Sequence, residues 1–121
     1  MPRVVHFEIQ ADDPDRAVQF YKKVFGWKIN KWKGPMDYWL VATGKSPEPG
    51  IDGAIMRRMK KSTAINTVGV PSVDKFLAKI LKAGGQVIMP KTPIPGLGYY
   101  AYCADTEKNV FGIMESDPSA H

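Results

Sequence analysis

The sequence predicts an α+β protein in which a βαβββ module occurs twice, as residues 1–60 and 61–121 of one domain. Three observations carry this: a strand-then-helix pattern that recurs, helix caps and stops at matching places, and closing strands that share Ile-Met. Setting Gly26 against Gly85 shifts the numbering by 59 (85 minus 26), and the same shift pairs Asp13 with Ser72, Asp15 with Asp74, and Ile29 with Ile88.

The first strand is "RVVHFEIQ". Its helix follows in "DDPDRAVQFYKKVFG", with Asp13 as N-cap and Pro14 at the first helical position. Ala17, Val18, Phe20, Tyr21, Val24 and Phe25 recur at helical spacing, and Gly26 ends the run. Three strand candidates come next: "WKINKW", "DYWLVA" and "GAIMRRM". The second module repeats the plan with "AINTVGV" as its first strand and "SVDKFLAKILKAGG" as its helix. Ser72 is the N-cap, Val73, Phe76, Leu77, Ile80 and Leu81 form the apolar face, and Gly84-Gly85 is the stop. "QVIMP", "GYYAYCA" and "NVFGIME" complete it, with "GKSPEPG" and "KTPIPGLG" as loops. The closing strands "GAIM" and "FGIM" pair Ala54 with Gly112.

Composition narrows the function classes. A chain of 121 residues with 44% hydrophobic and 24% charged residues buries one core. Its apolar runs fall short of the ~20 residues of a membrane span, and "MPR" runs directly into a strand without a signal-peptide apolar region, so the expected location is cytoplasmic. The single Cys103 cannot form an intrachain disulfide and reads as a small buried hydrophobe. The net charge of +5 raises nucleic acid as a partner, but the basic residues are scattered, and the one cluster, "RRMKK", has no aromatic platform around it. No nucleic-acid partner is expected. "GLG" precedes a strand, not a helix, which excludes a dinucleotide fingerprint.

The stretches "VVHFEIQADDPDRAVQFYKKVFGW" and "YYAYCADTEKNVFGIMESD" closely resemble signatures of the vicinal-oxygen-chelate superfamily, which contains glyoxalase I, extradiol dioxygenases, and the bleomycin and fosfomycin resistance proteins. The resemblance covers essentially the whole chain. Its markers are His6 seven positions before Asp13, the "FY…FG" helix end, Gly84-Gly85, and "D-x-x-x-N" before the last strand. It implies one glyoxalase-like domain whose two modules curl around a cleft, usually in a homodimer. Within the superfamily, "KTPIPGLGYYAYCADTEKNVFGIME" looks most like the glyoxalase-like subgroup related to lactoylglutathione lyase.

Period-2 alternation sorts the first strand into Val5, Phe7 and Ile9 on one face and Val4, His6, Glu8 and Gln10 on the other. The apolar set belongs under the helix. A face with His, Glu and Gln together reads as a wet one, which the resemblance makes the cleft. A catalytic divalent metal needs about three protein ligands from His and carboxylates. The resemblance places these on the first and closing strands of each module, where the chain has His6, Ala54, Ile65 and Gly112. Only His6 can coordinate. Asp52 lies at a loop edge, and Glu115 has the opposite strand parity to Gly112. No metal or other cofactor is therefore expected, with a divalent ion at His6 as the alternative.

The chemistry that remains is His6 with Glu8, a histidine general base oriented by a carboxylate. Ala54 and Gly112 leave volume where carboxylates would stand, Met56 and Met114 supply adaptable walls, and Tyr100 and Tyr102 share one strand face suited to a planar ligand. Core packing for the methionines and an outward or dimer-contact face for the tyrosines are the competing readings. The expected function is binding of a small organic molecule in the cleft. The alternatives are a metal-dependent lyase or dioxygenase and a drug- or metabolite-sequestering protein.

Overall fold

The computed structural model describes residues 2–121, which form eight strands and two helices in the order β-α-β-β-β, β-α-β-β-β. The elements are β1 (Arg3–Ala11), α1 (Pro14–Phe25), β2 (Lys28–Lys31), β3 (Tyr38–Ala42), β4 (Gly53–Arg57), β5 (Ala64–Gly69), α2 (Val73–Lys82), β6 (Gln86–Ile94), β7 (Gly98–Ala104) and β8 (Val110–Ser116). The α+β class and the doubled βαβββ order are those read from the sequence. Neither helix is long and apolar enough to cross a membrane. The described chain groups into two compact units, residues 6–65 and residues 66–121, the latter together with the opening residues of β1 up to Val5.

In the first unit the strand order is β2-β3-β4-β1, with β1 parallel to β4 and the other pairs antiparallel. Asp13 caps α1 by accepting the Arg16 backbone N–H, and Gly26 ends it in the left-handed region at φ 70°, where glycine carries no Cβ penalty. The core consists of Ala11, Val18, Ile29, Trp39, Val41 and Ile55, with Phe7, Ile9, Ala17, Tyr21 and Trp27 packed against it. Register explains the sorting: Ile9 faces Ile55 on β4, which faces Trp39 on β3, so the odd residues of β1 lie on the core side. Gly53 is required in the neighbouring row, since a Cβ there would stand 2.5 Å from the Phe7 carbonyl oxygen and from its ring.

Three expectations for this unit need correction. Val5, assigned to the apolar face with Phe7 and Ile9, is 49% exposed, because pairing of β1 with β4 begins only at Phe7. Phe20, Val24 and Phe25 of α1 are also more than half exposed, and the inward stripe of the helix is made by residues 17, 18 and 21. Glu8 and Gln10 are not on a wet face: they are 5% and 4% exposed.

The second unit has the order β5-β8-β7-β6, with β5 parallel to β8. Ser72 caps α2 through the Lys75 N–H, and Val70, Val73, Ala101 and Ile113 form the core under that helix. "KTPIPGLG" was expected to be loop, but β6 runs on through Pro90 and Pro93 to Ile94. The reason is position: β6 ends the strand order of its unit, where a missing N–H can be tolerated, and its pairing with β7 shifts register between Val87 and Met89 and again between Met89 and Thr92.

Candidate functional site

The even residues of β1 set up the polar face of the first unit. Pairing brings Glu8 beside Ala54 and Gln10 beside Met56 on β4, and β3 continues the rows with Leu40 opposite Ala54 and Tyr38 opposite Met56. His6 lies on the same face by strand alternation. Glu8, Ala54, Met56 and Gln10 are buried, and His6 and Tyr38 are half-buried.

Three side chains on this face are hydrogen-bonded in series. The Tyr38 hydroxyl donates to Glu8 Oε2 at 2.6 Å, and His6 Nε2 lies 2.8 Å from the same hydroxyl oxygen. The His6 and Tyr38 rings are near-parallel, 13° apart with centroids separated by 6.4 Å. Because the tyrosine proton goes to the carboxylate, the phenolic oxygen is left to accept, and His6 must donate through Nε2–H. In the neutral ring Nδ1 then carries the lone pair. Burial holds the His6 pKa below its ordinary value, partly offset by the negative charges of Glu8 and Asp52. The ring is thus a neutral base near pH 7, with its tautomer set by Tyr38.

Sequence alternation placed His6 and Glu8 on one face but missed Tyr38, which stands between them. The repeat could have found it: Tyr100 lies opposite Met114 on β7 and β8 as Tyr38 lies opposite Met56 on β3 and β4. The remaining candidates share one face of the second unit. Tyr102 pairs with Gly112, and Tyr100 with Met114, and the tyrosine rings meet edge to face at 5.6 Å. The volume opened by Gly112 is filled locally, since a Cβ there would meet the Thr67 hydroxyl at 3.1 Å and the Tyr102 ring at 3.6 Å.

The two carboxylates set aside on spacing and parity have structural partners. Asp52 accepts the Thr43 backbone N–H at 2.9 Å, closing the loop between β3 and β4. Glu115 accepts the Val73 N–H at 2.9 Å at the start of α2, on the helix side of its strand. Ala54, Ile65 and Gly112 offer no ligand atom, and among the described residues no three His, Cys, Asp or Glu side chains gather closely enough to hold a metal ion. The residues present do not fit a three-ligand divalent site.

Comparison with known proteins agrees with this architecture. The family described as Bleomycin resistance protein-like N-terminal matches residues 3–44, which span β1 through β3. A candidate glyoxylase, CFP32, of Mycobacterium tuberculosis is 26% identical over 113 residues, and the same protein of Mycobacterium bovis matches equally. That alignment takes in 92% of this chain but 43% of CFP32, so the chain spans less than half the length of the curated relatives it matches. Among solved structures, methylmalonyl-CoA epimerase of M. tuberculosis superposes with a TM-score of 0.70 at 13% identity, covering 95% of this chain and 88% of that one. A variant of the Streptomyces coelicolor methylmalonyl-CoA epimerase in complex with 2-nitronate-propionyl-CoA gives 0.70 at 15% identity, covering 100% and 99%. At these identities the structural likeness is one of fold. The match over residues 3–44, the candidate glyoxylase and the shared fold are likenesses, and they agree with the resemblance to the vicinal-oxygen-chelate superfamily read from the sequence.

Proposed function

We propose that the chain binds a small organic molecule bearing a carbonyl or carboxylate on the His6 face of its first unit, and that His6 serves there as a general base without a divalent metal. The observation that carries this is the series His6–Tyr38–Glu8, with contacts of 2.8 and 2.6 Å. Its chemistry is proton transfer at Nδ1. When that nitrogen takes a proton, the imidazolium is stabilised through the Tyr38 hydroxyl by the Glu8 carboxylate. Met56 and Ala54 wall the face, and the net charge of +5 favours an anionic ligand. Coenzyme A thioesters are the first probes to try, because methylmalonyl-CoA and 2-nitronate-propionyl-CoA are named as the ligands of proteins that share this fold. Tyr100, Tyr102, Gly112 and Met114 are kept as candidate ligand contacts of the second unit. Pairing into a cytoplasmic homodimer belongs to the same proposal, and light scattering at twice 13.5 kDa is the expected result.

The test is thermal unfolding with propionyl-CoA, methylmalonyl-CoA and simple carboxylates, followed by NMR of any stabilising compound in deuterated water. A stabilising compound should lose its effect in His6→Ala, since a ligand stabilises only the state that binds it. Deuterium appearing at the carbon next to the carbonyl identifies an enzyme, whereas binding without exchange identifies a sequestering protein. Stabilisation that survives His6→Ala refutes the site. Activity that appears only on adding a divalent ion and vanishes with chelator restores the metal-dependent lyase or dioxygenase.

A further inference from the structure

Gln10 has one polar atom that nothing in the described chain satisfies. Its Nε2 is buried and without a hydrogen-bond partner, and the residue as a whole is 4% exposed. The other end of the amide is committed, with Oε1 accepting the Met59 backbone N–H at 2.8 Å. That contact fixes the orientation, because a flipped amide would set N–H against N–H. A buried donor left unpaired carries a desolvation penalty that an apolar side chain of the same volume would not incur.

The place of this donor gives it meaning. Gln10 follows Glu8 on the polar side of β1, and its register partner Met56 is also the partner of Tyr38. The unpaired donor therefore lies on the face that carries His6, four residues further along the strand. At about 3.3 Å per residue the two Cα atoms are about 13 Å apart. Met56, with its flexible thioether chain, is the neighbour able to yield to an incoming oxygen.

We propose that Gln10 is a ligand-positioning residue whose Nε2 donates to a carbonyl or carboxylate oxygen at the end of the ligand remote from His6. This rests on the function proposed above and deepens it: a ligand that reaches both residues is extended, longer than a three-carbon acid.

The test uses the full-length chain labelled with 15N and two probes, propionyl-CoA and malonate. The Gln10 side-chain amide pair is assigned by its loss in Gln10→Met, and the His6 ring is followed in the same samples. With propionyl-CoA both signals should move along one saturation curve. Gln10→Glu keeps an acceptor for Met59 but replaces the donor by oxygen, and should bind at least about tenfold more weakly. If that variant does not fold, the amide shift in the unaltered chain decides alone. A His6 response with a stationary Gln10 amide, or Gln10→Glu binding within about twofold, overturns the inference and leaves the proposed function standing, with water as the amide's partner. A Gln10 response to malonate as strong as to propionyl-CoA overturns the extended ligand. Silence of both residues toward both probes overturns the inference and the proposed ligand class together.

Discussion

Replacing Tyr38 by phenylalanine deletes a single oxygen from the first unit. The ring stays, and with it the edge contact to Trp32 at 6.0 Å, so no large cavity opens. What goes is the donor that Glu8 Oε2 accepts from at 2.6 Å and the acceptor that His6 Nε2 meets at 2.8 Å. Glu8 is 5% exposed, and a buried hydrogen bond to a charged group is worth about 1.5–3 kcal/mol. The expected loss of stability for Tyr38→Phe is therefore about 2–3 kcal/mol, large for a substitution that removes one atom. Equilibrium urea unfolding reads this directly. With a slope of about 1–3 kcal/mol per molar, the midpoint should fall by roughly 0.7–3 M. Wild-type behaviour within about 0.5 kcal/mol would mean that the hydroxyl does not bridge the two residues, and the assigned tautomer of His6 would lose its basis.

Other perturbations reach different parts of the account. Folding lowers the His6 pKa below its ordinary 6.5, so between the two values the unfolded chain holds more proton, and stability should decline as pH falls through that window. His6→Ala should remove this component of the pH profile, and Glu8→Gln, which deletes the larger of the two offsetting negative charges, should lower the His6 pKa further when followed by NMR. Gly53→Ala should destabilise by about 3 kcal/mol, because the new methyl would lie 2.5 Å from a backbone oxygen that cannot turn aside, and unfolding at wild-type strength would contradict the β1–β4 register. Purified protein should carry no stoichiometric divalent metal, and chelators should leave its melting temperature unchanged. Elemental analysis finding about one ion per chain, lost together with stability, would overturn the metal-free reading.

The elements legible in the sequence were those set by local chemistry. Asp13, Gly26 and Ser72 mark helix ends through contacts a few residues away, and strand parity alone separated Glu115, whose carboxylate accepts the Val73 N–H at the start of α2, from Gly112. What escaped depended on partners distant in sequence. Tyr38 meets His6 across 32 positions, a contact made by the β3–β4 and β1–β4 registers together. The length of β6 was hidden because proline signals a loop unless the strand is known to end its order. Burial of Glu8 and Gln10 was unreadable for the same reason, since alternation gives a side chain's face but not what covers it.

The most direct test of the central claim is the 15N spectrum of the His6 imidazole near pH 7, recorded before and during addition of propionyl-CoA. The series through Tyr38 and Glu8 requires Nε2 to be protonated and Nδ1 bare in the free protein, and ligand binding on this face should shift the Nδ1 resonance. A ring protonated at Nδ1 instead, or one whose nitrogens do not respond to a ligand that the protein binds, would contradict the account.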